Sequence, residues 1–288
     1  MKKFLLLFVV AAIAFAACAG PQVNPNVGPE LTVIIPEDEF GPNPDNPSVS
    51  MAVSIQVKHP VDIKDWSITI QPARIGQGQR PADAPARPEG AEPRQPRGPF
   101  FEQKGTGRPP AQWNWNGRST RGDGSELVQS ATDYRFILIV NDIFDNTSNF
   151  EGIITTDVIV REEGGRLRIV VPSIIFPADS ADLTRVAEDD RRANERVLRL
   201  IARSLNRYED YRITIEGHAN PTTPADAARL RTLSEQRATS VRNYLVSTHN
   251  ITATRFRVLG LGTTRTVADH LDDEENWKNR RVEFLLER

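Results

Sequence analysis

The apolar residues of this 288-residue chain change their period at Gly164 and Gly165. Upstream, Leu31 to Ile35, Ser50 to Lys58, Trp66 to Gln71, Tyr134 to Val140 and Gly152 to Val160 are β-branched or aromatic runs. Several alternate at period two, the pattern of a strand with one buried face. No helical period interrupts them, so residues 30–162 are expected to fold as an antiparallel sandwich. Downstream, strand and helix periods alternate. Arg166 to Phe176 reads as a strand with a break at Pro172, Asp182 to Arg207 as a helix, and Tyr211 to Glu216 as a strand. A helix over Ala225 to Thr248 and strands at Phe256 to Leu261 and Val282 to Leu286 complete the order. This β-α-β-α-β-(α)-β series predicts a second, α+β domain over 166–288, with helices covering a sheet.

Within the first half, residues 74–112 hold eight of the 21 prolines and little to bury. They are expected to form a loosely ordered insertion. A net charge of −2 argues against a nucleic-acid binder, which usually carries a clustered basic excess.

The N-terminus reads as a secretory signal over 1–17. Lys2 and Lys3 precede an apolar stretch from Phe4 to Phe15, followed by Ala16 and Ala17. Cys18, the only cysteine, stands at the expected cleavage point. Two readings are open: a residue near an ordinary cleavage site, or a lipobox (Phe15, Ala16, Ala17, Cys18) whose cysteine carries the lipid anchor. Residues 18–29 lack any apolar period and read as a tether. Ala19 gives no cue for inner-membrane retention, so the outer membrane, facing the periplasm, is the default location.

On the helix over 225–248, Leu230, Leu233, Val241, Tyr244 and Leu245 share one stripe at about 100° per residue. Arg237 falls in its middle. A guanidinium near a buried face requires an anionic partner, internal or external, unless its stem snorkels to the surface. His59, His218, His249 and His270 lack metal-ligand spacing, and no nucleophile turn or phosphate-cradling loop is present. The sequence thus suggests no enzyme, metal or cofactor. Arg121, Gly122 and Asp123 read as a turn between strands rather than an adhesion motif. The charged run Glu188 to Arg192 reads as a solvated helix face.

Two resemblances follow. Trp113, Trp115 and Gly117, then Gly122 and Gly124, then Tyr134 and Phe136 form a pattern that resembles the Ig-like domain of flagellar hook-capping proteins, which implies a structural spacer. Ile215 to Asn220, Leu233 to Ala238, Gly260 to Gly262 and Asn279 to Glu283, in that order, resemble the OmpA-like domain. That resemblance implies a non-enzymatic peptidoglycan-binding role. In the family, an Asp after a Gly-His-Thr motif and the Arg of a Leu-Ser-x-x-Arg-Ala motif grip the charged end of diaminopimelate in the wall's stem peptide. The Arg matches Arg237, whose fork suits a carboxylate. The Asp is replaced by Asn220, which exchanges a charge-assisted hydrogen bond for a neutral one at a cost of about 1 kcal/mol. Asp179 is a candidate for the missing carboxylate, against the plainer role of loop residue or helix cap. The expected protein is an envelope lipoprotein tethering membrane to wall. The alternatives are an assembly protein whose pocket is unused and whose Ig-like domain docks a partner, or a relative of flagellar stators, which carry a true membrane span.

Overall fold

The computed structural model describes residues 26–73, 97–221, 224–272 and 274–288. Cys18 and the signal segment lie outside the described residues, as do 74–96 of the expected insertion. No helix among the described residues is long and apolar enough to cross a membrane.

Two antiparallel sheets make the first unit. One orders β1 (Glu30–Ile34), β2 (Met51–Lys58) and β5 (Gln112–Trp115). The other orders β4 (Phe101–Thr106), β3 (Ile63–Pro72), β6 (Asp133–Asp142) and β7 (Thr147–Thr155). Their alternating side chains enclose one core, with Val53, Ile68, Phe136 and Leu138 fully buried among Trp66, Trp113, Trp115 and Tyr134. β6 shows the period-two rule along its whole length, every second residue being buried.

The expectation that 74–112 lacks regular structure is corrected over its described part. Phe100 is buried in the core and Phe101 packs against it, which draws β4 onto β3. Gly105 leaves the space filled by the Trp66 ring, since a Cβ there would lie 2.4 Å from it. A second correction concerns 152–160. β7 ends at Thr155, and β8 (Val160–Glu163) pairs with β9 (Arg166–Val171) through a turn in which Gly164 and Gly165 both have positive φ. The glycines therefore close a hairpin inside the second sheet instead of separating two domains.

That second sheet is mixed. Its order is β11 (Phe256–Gly262), β10 (Arg212–His218), β12 (Val282–Glu287), β9, β8, with β10 and β11 parallel and the other pairs antiparallel. Helices α1 (Glu188–Leu205) and α2 (Ala227–His249) bury Val197, Leu198, Ile201, Leu205, Val241 and Leu245 against Ile213, Ile215, Phe284 and Leu286. α1 starts six residues later than the expected Asp182. The Asp182 carboxylate accepts hydrogen bonds from the Thr184 amide (2.9 Å) and hydroxyl (2.7 Å), a local turn that competes with helix.

Close approach sets the position of α2. A Cβ on Gly217 would lie 2.0 Å from the Ser234 carbonyl oxygen, and one on Gly260 2.5 Å from that of Arg231. The buried Ser234 hydroxyl donates to Arg231 O (2.8 Å) and accepts from the Gly262 amide (2.9 Å), which ties helix to strand. Gly217→Ala is expected to destabilise the protein by about 1–3 kcal/mol, as overpacking against backbone does. A urea midpoint unchanged from wild type would show that α2 does not depend on this contact.

Candidate functional site

Arg237 lies on the third turn of α2, beside the buried Ser234 and Ala238 and only partly exposed. Its Nε donates to Ser180 O (2.9 Å), its Nη2 donates to Pro177 O (3.1 Å), and the guanidinium covers the Phe176 ring at 5.1 Å. The cation foreseen on the apolar stripe thus orders the 177–180 loop. Asp179 is exposed at the turn of that loop, in the left-handed region (φ 48°), and its carboxylate pairs with Arg229 one face along α2. It lies nine residues before α1 and does not cap it.

Asn220 follows β10 and is buried. Its Oδ1 accepts from Asn279 Nδ2 (2.8 Å), and its own Nδ2 faces Pro221 O (3.3 Å) and His270 O (3.4 Å). Asn279, fully buried, also donates to Ala268 O (2.8 Å) and accepts the Val267 and Ala268 amides (2.8 and 3.0 Å). This gives a physical reason for an amide at 220. A carboxylate would turn an acceptor toward two carbonyl oxygens.

Asp179, Asn220 and Arg237 line one cleft of about 1180 Å³. Its opposite wall belongs to the first unit and includes Arg97, Arg121 and Tyr134. Residues of that wall escape a reading of the sequence because it assigns no contact between the two halves. Ion pairs hold the walls together: Arg121–Glu275 (2.9 Å), Arg97–Asp272 (2.9 Å), Lys278–Glu126 (2.6 Å) and Arg203–Asp157 (2.9 Å), with Arg196 on Asp133. Arg121 also donates Nε to Gly98 O (3.0 Å), and Gly122 and Gly124 both have positive φ, consistent with a turn at 121–124.

The sheet face turned away from the helices carries a buried charge cluster. Glu216 and Glu283 stand directly opposite on β10 and β12, a like-charge pair that needs compensation. Arg281 grips Glu283 Oε1 (2.6 Å) and Arg168 binds Oε2, while Arg265 lies 3.5 Å from Glu216. Burial raises the Glu283 pKa, but Arg281, His218 and Arg168 more than offset this and hold it below the carboxylate range. Glu216, His218 and Glu283 are close enough to share a metal ion. Both Glu283 oxygens are already held by guanidinium groups, so a cation there would have to displace them. His218 itself is buried, and neither ring nitrogen has a hydrogen-bond partner. Burial, then Arg281, pushes its pKa from 6.5 down to about 4.

Between those two values the unfolded chain binds a proton that the folded one does not, so stability rises with pH. The His218 contribution is fully present above pH 6.5 and is lost as pH falls toward 4, on the order of 3 kcal/mol in all. His218→Gln should flatten that part of a plot of stability against pH; an unchanged slope would contradict the neutral buried imidazole. Asn220→Asp is expected to cost about 1–3 kcal/mol in urea unfolding, because it sets an acceptor against buried carbonyls. Wild-type stability in that variant would contradict the account of the amide.

Part of the second unit is similar to known proteins. Residues 175–280 match the model of the OmpA family. The chain is 36% identical over 87 residues to "Outer membrane porin F" of Pseudomonas aeruginosa, covering 30% of this chain and 24% of that protein. It is 31% identical over 132 residues to "Probable lipoprotein YiaD" of Escherichia coli, covering 46% of this chain and 56% of that one. The chain thus spans about a quarter and just over half of the lengths of these curated relatives. Among solved structures, the cell wall anchor of the T6SS from Pseudomonas aeruginosa is similar at 26% identity and a TM-score of 0.36, over 45% of this chain and 86% of that one. The C-terminal part of this chain is an OmpA-like domain.

Proposed function

We propose that this chain is a non-enzymatic envelope lipoprotein that ties the outer membrane to peptidoglycan, from the periplasmic side. A lipid on Cys18 holds one end after removal of residues 1–17, the paired sheets act as an Ig-like spacer, and the OmpA-like domain grips the stem peptide without covalent chemistry. The observation that carries this reading is the convergence of Arg237, Asn220 and Asp179 on one cleft, with Arg237 in the motif that the family resemblance assigns to the ligand. The guanidinium draws a stem-peptide carboxylate toward the 177–180 loop that it already orders. Asn220 shapes the pocket mainly through Asn279. Modest affinity at each site suffices, because many copies on one membrane engage one wall.

A second reading has its own support. The Asn220 oxygen is taken by Asn279 and the Asp179 carboxylate by Arg229. The pocket's anionic half is therefore spoken for internally, as expected if the spacer docks an envelope partner and the pocket is unused.

Co-sedimentation of the chain from Cys18 onward with purified peptidoglycan separates the two. Wild-type protein should pellet with the wall, and Arg237→Ala should reduce the bound fraction at least about tenfold, as loss of a charge-assisted bidentate contact does. Arg237→Lys, which keeps the charge without the fork, should fall between them. Absence of wild-type pelleting would favour the second reading.

A further inference from the structure

The first unit has two poles, joined by β6. At one end Asp133 is held by Arg196 of α1, next to the cleft. Nine residues on, at about 30 Å, Asp142 begins the β6–β7 turn. The described chain enters at this far pole. A Cβ on Gly28 would touch the Ser148 hydroxyl (2.7 Å) and Thr147 O (3.4 Å), and Ile35 reaches Gly152, so the entering segment runs alongside β7 from the turn end. Val27 therefore lies level with the turn.

The turn is firmly built. The fully buried Asp142 carboxylate accepts hydrogen bonds from the amides of Phe144 (2.8 Å) and Asn146 (2.9 Å), from Asn146 Nδ2 (2.8 Å) and from His59 Nε2 (2.9 Å). What it holds outward is apolar. Ile143 and Phe144 are each 52% exposed, and Val27 is 55% exposed. Charges nearby balance in sign: Lys64 pairs with Asp145 (2.5 Å) and Lys58 with Glu30 (3.8 Å), while Asp62, whose carbonyl receives the Ile143 amide, stands at the same end as Arg108, which donates to His59 O (3.1 Å). The other large exposed apolar side chains lie elsewhere: Ile34, Val49 and Ile153 toward the opposite end of the strands, and Val267 in the second unit.

We propose that this tip is a lipid-docking surface: Ile143, Phe144 and Val27 sink into the acyl boundary of the bilayer that holds the anchor. The proposal rests on the lipoprotein reading. Cys18 precedes Val27 by nine residues, whose fully extended span is at most about 30 Å, so an anchored chain keeps the tip within reach of the surface. An apolar tip among charges that balance in sign suits shallow insertion between lipids rather than attraction to an anionic headgroup. Inserted, the tip stands the unit upright on the membrane, with the cleft projecting toward the wall.

Because Cys18 is the only cysteine, the chain from Cys18 onward can be coupled to a maleimide phospholipid, which supplies the anchor whether or not cells acylate it. Phe144→Trp, Ile143→Trp and a Val267→Trp control, each anchored in phosphatidylethanolamine–phosphatidylglycerol vesicles, are compared with and without brominated acyl chains. The four native tryptophans are buried and give a constant background. Emission from Phe144→Trp and Ile143→Trp should shift to the blue and be quenched by bromine, equally at low and high salt, while Val267→Trp is not. Quenching of both tip variants no greater than that of the control overturns the proposal. The mass of the N-terminal peptide from native membranes reads acylation separately, so loss of the lipoprotein reading is told apart from failure of the tip to insert.

Discussion

The approach of α2 to a bare strand backbone governs much of the second domain. Gly217 and Gly260 carry no side chain where the helix passes, and the Ser234 hydroxyl closes the contact by bonding both Arg231 O and the Gly262 amide. With α2 held there, its stripe seals the core through Val241 and Leu245. The same placement sets Arg237 over Phe176 and under the carbonyls of 177 and 180. A helix pushed outward by one methyl group would lose the register of all three contacts. The glycines and serine of the family motifs are thus packing residues that make the arginine's position possible.

Charge organises the remainder. Two glutamates placed opposite each other on β10 and β12 are tolerable only because Arg281, Arg168 and Arg265 surround them. Between the two units, acidic and basic side chains meet along a seam beside the cleft. Partly exposed pairs of this kind contribute little each; their value lies in fixing which wall faces the 177–180 loop. The site is therefore shaped by both halves of the chain, although its motif residues come from one.

Much of the second domain was legible in the sequence, since a 3.6-residue stripe and motif order report a helix packed on strands directly. Leu230, Leu233, Val241 and Leu245 are buried as their spacing requires. The misreadings share a cause: tertiary contacts that composition conceals. Prolines around Phe100 and Phe101 suggested an empty loop, yet two aromatic rings were enough to recruit a strand. The start of α1 was misplaced because Asp182 bonds its own backbone neighbourhood. The cluster around His218 was invisible because Arg168, Glu216 and Glu283, which lie on three different strands 48 to 115 residues apart in sequence, meet only through sheet pairing. Asn220 looked like a weakened ligand; its neighbours reveal an amide matched to two carbonyls and to Asn279.

The central claim is that the cleft around Arg237 receives a wall stem peptide. An NMR titration of the isotope-labelled chain with a soluble, diaminopimelate-containing muropeptide tests it most directly. The account requires saturable shifts concentrated in the 177–180 loop, at Asn220 and its Asn279 partner, and at the Arg237 side chain. Shifts that are absent, or confined to the first unit away from the cleft, would contradict it.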